Sequence, residues 1–92
     1  MTKNALIKKN AHLFWYFDKS KLQEMSDDVL VEFILNYGTW EAFCDLLKTF
    51  GLRKVSKIFK SQRAKKRSNL LPEIANYFHL FFKSHVPEYT QR

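Results

Sequence analysis

Two glycines and two prolines stand in 92 residues, and each falls where a stretch of helically spaced apolar residues starts or stops. Folds built from many short strands need a turn roughly every 8–12 residues, so this sparing use of turn formers disfavours them. Ser26 is a good N-cap, Asp27 and Asp28 suit the positive end of a helix dipole, and the helix reads on to about Tyr37. Gly38 is placed to close it as a left-handed C′ residue. Thr39 caps a second helix, Trp40 to about Phe50, which Gly51 ends. A third runs from about Leu52 to Gln62. A fourth starts at Pro72, which suits a first turn, and reaches about Lys83 before Pro87 stops any continuation. The spacing predicts an all-α fold: a compact bundle of four main helices with short connections, and an aromatic N-terminal segment packed on it.

The faces of these helices follow from 100° per residue. In the first, Val29, Leu30, Val31, Phe33, Ile34, Leu35 and Tyr37 cover most of the circumference, and only Asp28, Glu32 and Asn36 form a polar strip. Such a helix is central in its fold or lies at an interface. The second sets Trp40, Phe43, Cys44, Leu46, Leu47 and Phe50 against Glu41, Asp45, Lys48 and Thr49. The third sets Leu52, Val55, Ile58 and Phe59 against Arg53, Lys54, Lys57 and Lys60. In the last, Ile74, Tyr77, Phe78, Phe81 and Phe82 point inward.

A chain of this length holds one core and buries only about two thirds of its unfolded surface. Nine Phe, four Tyr and two Trp are the obvious filler, each able to bury roughly 150–250 Å². Residues 1–12 read as a basic N-terminal extension, frayed or forming a short helix from about Lys3 to Asn10. Residues 13–83 read as the helical domain and 84–92 as a tail. Leu13 to Phe17 is too short for a helix of its own and reads as an extended or turn segment pressing aromatics onto the core. That run is also the longest unbroken apolar one, far short of the roughly 20 residues that span a bilayer. The first residues, Met-Thr-Lys-Asn, hold no signal-like apolar stretch. With Cys44 alone no intrachain disulfide is available, so a soluble, cytoplasmic protein without membrane association is expected.

Charge is divided along the chain. Residues 22–47 carry Glu24, Asp27, Asp28, Glu32, Glu41 and Asp45 and no Lys or Arg. Residues 48–67 carry Lys48, Arg53, Lys54, Lys57, Lys60, Arg63, Lys65, Lys66 and Arg67 and no acid. This pattern implies two electrical poles, the basic one attracting a polyanion or an acidic protein surface. Arg53, Lys57 and Lys60 share about 60° of arc, Lys54 stands at its edge, and Arg63, Lys65, Lys66 and Arg67 extend the patch. The bland alternative is a solvated outer face. The helices on either side of Gly51 also allow a helix-turn-helix reading. The second of them offers mainly Lys, a point charge suited to phosphates, with only Ser56, Ser61 and Gln62 for base edges.

Catalytic chemistry finds little support. His79 and His85 are six apart, about 240° around a helix, so they cannot chelate one metal from one face. Cys44 lies on an apolar stripe, and no glycine-rich phosphate loop or zinc-ligand spacing occurs. No enzyme activity, cofactor or metal is expected.

The text between the helices is His-Leu-Phe-Trp (12–15), Asp18, Leu22, Val31 through Tyr37-Gly38-Thr39-Trp40, Phe50-Gly51, and Leu71-Pro72-Glu73-Ile74-Ala75-Asn76-Tyr77-Phe78. Over about residues 12–82 it resembles a family of short bacterial all-helical proteins of unknown function, often encoded beside abortive-infection-type nucleotidyltransferase toxins. Tyr16 stands where an acid is usual, Leu71 where a capping Ser or Thr is usual, and Tyr77-Phe78 in place of a Phe-Trp pair. The resemblance implies a non-enzymatic, antitoxin-like partner of such a toxin. Two means of binding follow from the residues: the basic surface (Arg53, Lys54, Lys57, Lys60, Arg63, Lys65, Lys66, Arg67), or an aromatic anchor among Phe14, Trp15 and Tyr16. The alternative expectation is a small autoregulatory nucleic-acid-binding protein using the same cations on phosphates. A homodimer, through the nearly all-apolar helix 28–37 or by head-to-tail pairing of the poles, is also open.

Overall fold

All the helices but one begin at a residue whose side chain or ring can start them. In the computed structural model, which describes residues 2–14, 22, 24–65 and 69–90, the helices are α1 (Lys3–Lys9), α2 (Asp27–Tyr37), α3 (Trp40–Phe50), α4 (Leu52–Ala64) and α5 (Pro72–His85). Thr2, Ser26 and Thr39 each accept a hydrogen bond from a backbone N–H three residues on, at 3.1, 3.2 and 3.1 Å. Pro72 opens α5. Short 3₁₀ turns, among them Ala11–Phe14 and Pro87–Thr90, accompany them, and the described secondary structure is entirely helical. The fold is all-α. Its radius of gyration, 12.9 Å, is near the roughly 12 Å expected of a globule of this length.

One core runs from α1 to the C-terminal turn. Leu30, Val31, Phe33, Ile34 and Leu35 of α2 are all buried, so this helix is central and its apolar circumference is used inside the molecule. Phe43 meets Phe78, Phe81 and Phe82 at 4.8, 5.3 and 6.3 Å between ring centroids, and Phe59 stacks obliquely on Phe82 at 5.2 Å. These rings lock α3, α4 and α5 together.

Several expectations need correcting. Gly38 is extended (φ −79°, ψ 166°) and not left-handed. What it provides is space, since a Cβ there would lie 2.6 Å from the Ile34 carbonyl oxygen. Of the two readings of residues 1–12, the short helix from about Lys3 to Asn10 forms, as α1; it does more than extend the domain, since it buries Leu6 and Ile7. The expected tail also packs inward, with Val86 and Tyr89 both buried. Tyr89 lies against Phe59 and Phe82, and its hydroxyl is 3.0 Å from His79 Nδ1. Trp40 and Tyr77, read as inward, are instead 54% and 51% exposed.

Asn36, on the expected polar strip of α2, ties down the α4–α5 connection. Its side-chain amide donates to the Asn69 carbonyl (3.0 Å) and accepts from the Leu71 N–H (3.1 Å). Leu71 has no capping side chain of its own, and this bond from α2 satisfies the backbone donor at the helix start.

Candidate functional site

The α4 helix is positioned by what it buries. Val55 and Phe59 are fully enclosed, and Ser56 and Gln62 are buried beside them. This leaves Arg53, Lys54, Lys57, Lys60, Arg63 and Lys65 exposed along the opposite side. At 1.5 Å per residue, Arg53, Lys57, Lys60 and Arg63 make a row about 15 Å long. Lys66 and Arg67 lie outside the described residues, as do Trp15 and Tyr16.

An open cleft of about 690 Å³ adjoins the start of α4. Phe50, Leu52, Val86 and Pro87 supply its apolar lining, Arg53, Lys54 and Lys57 its charge, and His85 an imidazole; none of the described lining residues is acidic. The joint that creates it is Gly51, at φ 87° and ψ 149°, the one described residue with positive φ. Gly51 makes no side-chain cap at the positive end of α4.

The cations of this face are not equivalent. Lys54 is matched to Asp27 at 3.0 Å and sits over the Phe50 ring, 4.8 Å from its centroid. Lys60 lies 5.9 Å from the Tyr89 ring centroid. Burial raises the Tyr89 pKa, and the positive charge of Arg63 opposes that rise. Burial first, then Arg63 and Lys83, hold the His79 pKa below its ordinary value.

Asp27, Glu41 and Asp45 of the acidic stretch are engaged from within. Lys9 donates to Asp45 at 2.7 Å and Glu41 at 3.1 Å, and these hydrogen bonds raise its pKa. Lys3 joins Lys54 on Asp27 at 2.8 Å; the hydrogen bonds from these two amines lower the Asp27 pKa. Asp45, expected on the solvent side of α3, is thus a buried carboxylate closed over by α1. The two-pole picture changes accordingly: α1 neutralises part of the acidic stretch, and the basic stretch dominates the exterior.

Two of the three side chains considered for base-edge contacts are turned inside. The Ser56 hydroxyl donates to the Arg53 carbonyl (2.8 Å), and the Gln62 amide donates to the Asp28 carbonyl (2.6 Å). A helix-turn-helix joins its helices by three or four residues, whereas α3 and α4 meet through Gly51 alone. Phe14 is 2% exposed and packs edge-on against Phe33 at 5.4 Å, so it is a core residue and no anchor. Among the described residues, the exposed aromatics are Tyr37, Trp40 and Tyr77. Sequence reasoning placed all three on apolar faces, and nothing local to them signals otherwise.

Among the described residues, no three of His, Cys, Asp and Glu converge as metal ligands, and no helix is long and apolar enough to cross a membrane. Compared with known proteins, the chain matches no family model, no curated protein and no solved structure.

Proposed function

We propose that the chain is a non-enzymatic binding module that docks on an anionic macromolecular surface through the outer face of α4 and the cleft at its start. The partner proposed is a nucleotidyltransferase-type toxin whose carboxylate-bearing catalytic cleft the basic face covers, making this chain its antitoxin. The observation that carries the reading is the cleft, whose described lining gathers Arg53, Lys57 and His85 beside Lys54, the last of them paired with Asp27. A cationic row on a helix anchored by Val55 and Phe59 suits electrostatic docking, because the backbone that carries the charges needs no ordering on contact. The choice of toxin rests on the resemblance alone.

Co-expression with the product of the adjacent gene tests it. The wild type should co-purify and bind at micromolar concentration or tighter. The combined replacement Arg53→Glu, Lys57→Glu and Lys60→Glu should weaken binding on the order of 100-fold or more while helical circular dichroism persists, since like-charge juxtaposition costs several kcal/mol. Persistence of binding after that reversal would make the basic face a solvated surface.

A second reading is favoured by the row of cations at one-turn spacing, which suits a phosphate backbone. With Ser56 and Gln62 engaged in the core, such binding would be independent of sequence. Titration of a labelled duplex checks it: about five phosphate contacts give a slope of log K on log salt near −4.5.

A further inference from the structure

One of the cations lining the docking cleft is already paired inside the molecule. Lys54 sits over the Phe50 ring, its amine 4.8 Å from the ring centroid, and there it meets Oδ2 of Asp27 at 3.0 Å. Lys3 holds Oδ1 of the same carboxylate at 2.8 Å. Asp27 opens α2, where the helix dipole favours any acid. That preference asks only for negative charge in the first turn. It does not ask for a carboxylate whose two oxygens are taken by amines from two other helices, one of them at the start of α4.

We infer that Asp27 is the internal counter-ion of the cleft: it holds Lys54 in the free chain and yields it to an incoming anionic group. This role rests on docking through the basic face and adds how that face is regulated. Three features suit an exchange. First, the pair is accessible, with the Lys54 side chain 52% and the Asp27 side chain 31% exposed, and ion pairs in such positions hold weakly. Second, Asp27 is not stranded when Lys54 leaves, because Lys3 stays on Oδ1. The exchange therefore leaves both charges with a partner. Third, Lys54 has little distance to travel. Its ring partner Phe50 and Lys54 itself both line the cleft, beside Arg53 and Lys57.

The exchange also sets which anions the cleft takes. A lone carboxylate offers the Lys54 amine no more than Asp27 already does. A surface carrying several acids differs, because those held by Arg53 and Lys57 bring a further one to Lys54 at high effective concentration. Asp27 thus favours clustered negative charge over isolated anions. It is a positioning residue, acting on the partner through Lys54.

Binding of a labelled hexaglutamate peptide to the full chain at about 0.1 M salt tests this role. Asp27→Asn should tighten binding about 3- to 10-fold, since the Lys54 pair need not be broken and one like charge beside the docked peptide is gone. A merely structural role would give weaker or equal binding. Glu73→Gln makes the same change in net charge about 18 Å along α5 from His85 and should leave affinity unaltered. The share of the gain that passes through Lys54 should disappear in a Lys54→Met background, leaving a gain at least about 2-fold smaller. In the unaltered chain, the carboxyl-carbon resonance of Asp27 should move as peptide is added, while that of Asp45, held by Lys9, should stay. Unchanged or weaker binding by Asp27→Asn, equal gains in the two backgrounds, or a still Asp27 resonance would each overturn the exchange and leave docking through α4 standing. Absent peptide binding, or binding indifferent to the combined reversal at Arg53, Lys57 and Lys60, would remove the docking face and this role together.

Discussion

Gly51 and Gly38 close consecutive helices, yet a methyl group would harm each by a different route. At Gly51 a Cβ meets nothing within 4 Å, but φ 87° with ψ 149° lies close to a region nearly closed to side chains. Gly51→Ala should cost about 1–3 kcal/mol in denaturant unfolding, and Gly51→Asn should give no relief, because asparagine eases only the left-handed helical region. At Gly38 the backbone angles suit any residue, and the cost comes from the Ile34 carbonyl at 2.6 Å. Gly38→Ala should therefore cost about 1–3 kcal/mol through displaced helix packing. Position told both glycines apart from ordinary loop residues, but only the three-dimensional surroundings separate strain from crowding. Asp27 makes a second residue-scale case. Its lowered pKa, caused by the Lys3 and Lys54 amines, means that its contribution to stability is complete above the ordinary carboxylate value of 3.8. That contribution is lost as pH falls from there through the depressed folded-state value. Asp27→Asn should flatten this part of the acid-unfolding curve, and an unchanged curve would show that the two bridges contribute nothing.

Helix boundaries were legible because their signals are local. Thr2, Ser26, Thr39 and Pro72 act within one turn of themselves, and the 3.6-residue pattern supplies the rest. Burial of the chain ends was not legible, because it depends on partners far away in sequence. Lys9 finds Asp45 thirty-six positions later, and Tyr89 finds Phe59 thirty earlier. The C-terminal 3₁₀ turn is therefore a structural element of the core and not a tail. Tyr89→Ala should destabilise by about 3–5 kcal/mol, the range for removing a buried aromatic, whereas Tyr89→Phe should cost about 1 kcal/mol for the lost His79 bond. Thermal or denaturant unfolding distinguishes these values. Because the His79 pKa is held below 6.5, the packing of this turn should be at full strength above pH 6.5 and weaken as pH falls through the depressed value. The protection of the Val86, Glu88 and Tyr89 backbone amides against solvent exchange, relative to their intrinsic rates, should fall over that interval.

At the scale of the molecule, function follows from how charge is divided between inside and outside. The acidic stretch was plain in the sequence. Its partial neutralisation by α1 was not, since that depends on which helix folds back across α3. Once Lys3, Lys9 and Lys54 occupy Asp27, Glu41 and Asp45, the exterior is governed by the α4 cations and the cleft beneath Arg53 and Lys57. The same division predicts that Lys9→Met lowers thermal stability by leaving a buried carboxylate without its amine, while leaving docking through α4 intact. The salt dependence of the complex with the adjacent gene product tests the central claim most directly. An interface made by α4 cations should weaken about 10-fold or more between roughly 0.1 and 0.5 M salt, as screening shortens the reach of its charges. An affinity that does not change over that range would contradict docking through the basic face.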